Sequence, residues 1–140
     1  MQYAPMSRAK GVVEVRYDPG ILGRTGGAQP DQFVRGILQA RSERSNFFPS
    51  KLFSDPAWDM LLDLFASQLA QVRVSVTSLC VASNSPTSTA LRWISALERE
   101  GLIERRADPL DGRRIFVSLS AAGSDALDRY FDGLNGRAII

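Results

Sequence analysis

The chain has 140 residues, 44% hydrophobic and 23% charged, with 17 basic against 15 acidic side chains for a formal +2. That is the length and composition of one globular domain, and the longest unbroken apolar run, Leu79-Cys80-Val81-Ala82, is too short for a membrane span or a secretory core. One cysteine and no histidine exclude an intrachain disulfide, His-ligated zinc, and Ser-His-Asp or Cys-His catalysis. No metal, cofactor or enzymatic activity is expected, and the lack of disulfides and of a signal favours the cytoplasm.

Residues 1–30 read as a flexible arm, rich in Gly and Pro, with a short strand suggested by the alternation of Val13, Val15 and Tyr17. The glycines at 20, 23 and 26 are not followed by Gly-Lys-Ser/Thr, so they form no Walker loop. The rest, 31–140, reads as one domain. Asp31 opens a helix to about Arg44 with Phe33, Val34, Ile37 and Leu38 on one side. An aromatic linker with Phe47, Phe48 and Phe53 follows. The basic residues of 32–51 (Arg35, Arg41, Arg44, Lys51) either flank a polyanion or solvate the helix. Asp55 and Pro56 mark the start of an amphipathic helix over 56–71, where Trp58, Leu61, Leu62, Phe65, Leu69 and Val72 recur at helical steps. Asp55, Asp59 and Asp63 lie four apart, which reads as a solvated acidic face.

An extended stub at 73–76 leads into a short helix, capped by Ser75 or Thr77 and running through Ser83, with Cys80 read as a small core residue. Asn84-Ser85-Pro86 is a turn, and a second helix runs from about Thr87 to Glu100. Its apolar seam is Ala90, Trp93, Ile94 and Leu97, which places Trp93 in the core, and Gly101 ends it. The period then changes to two. Residues 102–106 and 114–119 read as strands joined by a long charged tip, Asp108-Pro109-Leu110-Asp111-Gly112. Ser120 caps a last helix to about Leu134, and the tail 135–140 is expected to fray.

The order helix, stub, helix, turn, helix, hairpin, helix is that of a winged helix-turn-helix. Residues 55–134 resemble the DNA-binding core of MarR-type transcriptional regulators, through Ser88-Thr89-Ala90-Leu91-Arg92-Trp93-Ile94, through Leu97-Glu98-Arg99-Glu100-Gly101-Leu102-Ile103, and above all through Asp108-Pro109-Leu110-Asp111-Gly112-Arg113-Arg114 followed by a strand and Ser118-Leu119-Ser120. The expected fold class is mainly α with a small β-hairpin (α+β), a winged helix-turn-helix with an added N-terminal helix. The resemblance implies a transcriptional regulator whose partner is double-stranded DNA. Helix 87–100 would enter the major groove with Ser88, Thr89, Leu91, Arg92 and Ser95 outward, Arg92 being the foremost candidate for a base or phosphate contact. The resemblance also implies that Arg113 enters the minor groove, oriented by Asp111, with Arg114 and Arg105 or Arg106 adding phosphate contacts. A homodimer is expected, with helix 31–44 and Phe47, Phe48 and Phe53 as its partner element; the apolar side of that helix needs cover, from a twofold dimer or from its own core. No effector residues are assigned. The alternative is a winged-helix protein-interaction module without DNA binding, consistent with the net +1 of residues 86–114.

Overall fold

The computed structural model describes residues 30–133. The arm before Pro30, its suggested strand, and the tail from Leu134 lie outside the described residues. Helix α1 spans Pro30–Glu43, and two short 3-10 turns at 44–46 and 50–52 lead to α2, Pro56–Leu69. Asp55 stands at the N-cap of α2 without a capping bond; its carboxylate instead lies 3.8 Å from Arg41. Strand β1 (Val74–Ser75) runs directly into α3 (Val76–Ala82), whose N-cap Ser75 accepts from the Ser78 amide. Asn84, in the left-handed region at φ 56°, turns the chain into α4, Thr87–Arg99. Strands β2 (Ile103–Asp108) and β3 (Asp111–Leu119) form the wing, and α5 spans Ala121–Gly133. The antiparallel sheet has the order β1-β3-β2, with Val74 opposite Val117 and Ile103 opposite Leu119. This is a winged helix-turn-helix with an added N-terminal helix, as expected.

Three expectations are corrected. The acidic stripe of α2 is not a solvated face: Asp59 and Asp63 are each only 7% exposed. Asp59 accepts from Arg41 Nε at 2.6 Å, while Asp63 accepts from Arg35, which also donates to Ser67 Oγ at 3.0 Å. Arg35 and Arg41 of α1 therefore neither flank a polyanion nor merely solvate the helix; they are engaged with α2. Burial pushes the Asp59 carboxyl up, against the pull of its hydrogen bond from Arg41. Trp93 is not in the core. The seam is Ala90, Ile94 and Leu97, and Trp93, on the flank of that stripe, is 42% exposed. The wing has no long tip, because the strands run to a two-residue turn at Pro109-Leu110.

Val34 and Ile37 bury the apolar side of α1 in the chain's own core. Phe131 of α5 joins this layer together: it stacks on Phe65 with centroids 5.5 Å apart and meets Phe33 edge-on at 6.4 Å. Cys80 is buried, which pushes its thiol up and disfavours the reactive thiolate.

The angle between α4 and the wing is set at one junction. Gly101 takes φ 77°, open to glycine at low cost, and lets the Leu102 amide return to the Leu97 carbonyl at 3.1 Å. Ser120 closes the other side, donating from its amide to the Leu102 carbonyl at 2.9 Å and from its hydroxyl to the Gly101 carbonyl at 2.6 Å. The same hydroxyl caps α5 by accepting from the Gly123 amide at 3.0 Å. A Cβ on Gly123 would stand 2.1 Å from the Leu102 carbonyl oxygen, which is rigid backbone.

Gly123→Ala should therefore cost about 3 kcal/mol, at the upper end for overpacking, in denaturant unfolding, whereas Gly133→Ala, where a Cβ meets nothing within 4 Å, should not destabilise. For the α1–α2 pair, Asp59→Ala alone should destabilise by about 3 kcal/mol, the low end for a broken buried pair, because Arg41 is left with only the 3.8 Å contact to the exposed Asp55. The double change Arg41→Met with Asp59→Leu should recover most of that loss in the same assay.

Candidate nucleic-acid interface

Helix α4 buries Ala90, Ile94 and Leu97, so its 3.6-residue period turns Ser88, Arg92 and Arg99 to the opposite side. Ser88 and Arg92 are exposed, Thr89 and Ser95 are half-buried, and Leu91 is 40% exposed. The guanidinium of Arg92 makes one long contact, 3.5 Å to Thr89 Oγ1, and no ion pair among the described residues. Pro86 is the N-cap of α4 and makes no side-chain capping bond, so no capping side chain takes up the first-turn amides.

The wing presents its arginines through a break in the ladder. Ala107 pairs with Ile115 and Asp108 with Asp111, so Gly112, Arg113 and Arg114 have no partners on β2. Such a bulge re-aims side chains away from the regular pleat. Arg113 thus sits just inside the turn on β3, not in a long tip, with its side chain 92% exposed. The Asp111 carboxylate accepts both from Arg113 Nε at 3.2 Å and from the Arg113 amide at 3.1 Å. That pair of bonds fixes where Arg113 leaves the strand and holds the Asp111 carboxyl below its usual range. Two other wing arginines are less available. Arg105 donates twice to Glu98 Oε1 of α4, at 2.6 and 3.0 Å, which ties wing to helix, removes Arg105 as a free cation and lowers the Glu98 carboxyl. Arg106 lies 3.8 Å from Glu104.

Between the wing and α3 runs an open groove of about 890 Å³. Leu91 of α4 and Arg105, Asp111, Arg113 and Arg114 of the wing line it together, so five of the candidate contact residues named from the sequence meet there. Ser88, Thr89, Arg92 and Ser95 do not line it. The groove adds residues that sequence reasoning missed: Arg73 ahead of β1, and the hydroxyls of Ser75, Thr77 and Ser78 at the start of α3. Arg73 lies over the Phe116 ring, 5.2 Å from its centroid, and Arg114 approaches the same ring at 5.9 Å. One aromatic thus organises two guanidinium groups. The signal was the pairing of the stub at 73–76 with the returning strand, which puts Ser75 opposite Phe116. Among the described residues no cluster of His, Cys, Asp or Glu could hold a metal, and no helix is long and apolar enough to cross a membrane.

No family model matches the chain. Among curated proteins, 64 residues are 36% identical to riboflavin kinase of Thermococcus kodakarensis, covering 46% of this chain; the chain spans only 29% of that relative's length. Among solved structures, the chain is similar to a mutant of MepR from a multidrug-resistant S. aureus clinical isolate, with a TM-score of 0.49 and 19% identity over 82% of this chain and 75% of that one. It is also similar to S. aureus MepR in its DNA complex, with a TM-score of 0.48 and 21% identity over 74% and 80% of the two chains. A probable transcriptional regulator from Pseudomonas aeruginosa gives a TM-score of 0.48 and 27% identity over 74% and 76%.

Proposed function

We propose that the chain is a sequence-specific, double-stranded DNA-binding transcriptional regulator, with α4 in the major groove and the wing at the adjacent minor groove. The observation that carries this reading is the groove in which Leu91 of α4 and Arg113 and Arg114 of the wing share one surface with Arg73. Arg92 supplies base or phosphate recognition, and Ser88, Thr89 and Ser95 supply shorter polar contacts beside it. Arg113, steered by Asp111, supplies the minor-groove cation, where a narrow groove concentrates negative potential. Near-even total charge is no obstacle, because Arg35, Arg41 and Arg105 are already matched by Asp63, Asp59 and Glu98.

We place the twofold contact of a homodimer on the aromatic linker. Helix α1 is covered by its own core, whereas Phe47, Phe48, Leu52 and Phe53 remain exposed, Phe47 to 80%. The same patch supports a second reading, a protein-interaction module without DNA affinity, which the binding experiment below separates from the first.

Duplex selection from a random pool should return a palindromic consensus, and affinity for it should fall steeply with salt. On that duplex Arg92→Ala should cost about 1–3 kcal/mol of discrimination at one base pair. Arg113→Ala should weaken binding and lower the salt slope by about one. Duplex affinity indifferent to both changes contradicts the proposal, and a protein partner recovered without DNA favours the second reading. In sedimentation, Phe48→Ser with Phe53→Ser should convert a dimer to a monomer without loss of helical signal.

A further inference from the structure

The apex of the wing carries a side chain that the chemistry of its turn does not require. Asp108, Pro109, Leu110 and Asp111 close the hairpin, with Asp108 and Asp111 paired across it. None of the four takes a positive φ. Asp at the first position and Pro at the second are residues that such a turn prefers. The Asp108 carboxylate serves the turn directly, accepting from the Leu110 amide at 2.8 Å. The third position calls for nothing apolar. It nonetheless holds Leu110, 95% exposed, more than any other large hydrophobic side chain among the described residues. Pro109 beside it is exposed as well.

The rest of the wing sets the field around this apolar point. Both neighbouring carboxylates are engaged with their own chain, Asp108 with the Leu110 amide and Asp111 with Arg113. Arg113 and Arg114 follow within four residues of Leu110, both exposed, and Arg114 has no ion pair among the described residues. An anchored apolar point backed by two cations complements a polyanion with an apolar interior, which describes base pairs stacked between two phosphate strands. Proteins that bend DNA from the minor groove combine these features, Arg to follow the groove and Leu or Pro to part a base step. We propose that Leu110 is a wedge: as Arg113 enters the minor groove, Leu110 inserts between two stacked base pairs, unstacks that step and kinks the duplex toward the major groove. The wedge rests on the proposed DNA reading. It adds a source of sequence preference that needs no hydrogen bond to a base, because pyrimidine–purine steps unstack most easily.

The test uses the full chain and the duplex selected from the random pool, with 2-aminopurine replacing in turn each adenine that flanks the major-groove consensus. Wild type should raise the fluorescence of the probe at one step per half-site and bend the duplex by about 20° or more in circular-permutation gels. Leu110→Ala, a change at a bare surface position, should leave circular dichroism unaltered and remove most of both signals. Leu110→Met, which keeps an apolar wedge, should restore them. A mismatch at the same step, where stacking is already weakened, should tighten wild-type binding by about fivefold and leave Leu110→Ala within about twofold. Selection repeated with Leu110→Ala should lose a pyrimidine–purine step from the flank and keep the positions that depend on Arg92. A probe that stays stacked, or a bend and a probe signal equal in wild type and Leu110→Ala, overturns the wedge; if affinity then still depends on Arg92 and Arg113, the DNA reading stands without it. Absence of duplex binding overturns both.

Discussion

One backbone junction fixes how α4 and the wing stand to each other. The Leu102 carbonyl accepts from Ser120, the Leu102 amide donates to Leu97, and the Gly101 carbonyl accepts from the Ser120 hydroxyl. Helix α4, the wing and the last helix thus meet within a few residues of one another. Two glycines make the closure feasible for opposite reasons: Gly101 supplies a left-handed turn, and Gly123 removes the Cβ that would strike the Leu102 carbonyl. The paired hydrogen bonds from Arg105 to Glu98 add a side-chain brace across the same corner.

Charge in this chain is sorted by pairing rather than by abundance. Arg35, Arg41 and Arg105 meet carboxylates and hold elements together, while Arg73, Arg92 and Arg114 have no ion pair among the described residues. Arg113 is intermediate, steered by Asp111 but exposed. A formal +2 therefore says little about the local field, and the unmatched cations border the groove between the wing and α3 or stand on the outer side of α4. In the proposed DNA reading this division is what gives a nearly neutral chain a polyanion-binding face.

Much of the fold was legible because its signals are local. Pro56 at a first helical position, Ser75 and Ser120 at caps, and Gly101 after a helix each mark an element end through backbone chemistry that needs no distant partner. The Asp108-to-Gly112 run located the wing, though it overstated the loop, since the strands persist to Pro109-Leu110. What sequence periodicity misread depends on remote contacts. Asp59 and Asp63 look like a solvated stripe until α1, 18 and 28 residues away in sequence, brings Arg41 and Arg35 onto them. Trp93 lies three residues from Ala90 and so fits an apolar stripe, yet the stripe that packs is the narrower one of Ala90, Ile94 and Leu97. Arg73 carried no signal of its own; only the register of β1 against β3 sets it beside Phe116.

In the proposed DNA reading, α4 and the wing address one double helix at adjacent grooves. Chemical-interference footprinting of the selected duplex, wild type against Arg113→Ala, tests it most directly. The variant should keep the major-groove contacts and lose protection only in the minor groove flanking them. A footprint unchanged by the substitution, or one in which major-groove protection disappears while the minor groove stays covered, would contradict it.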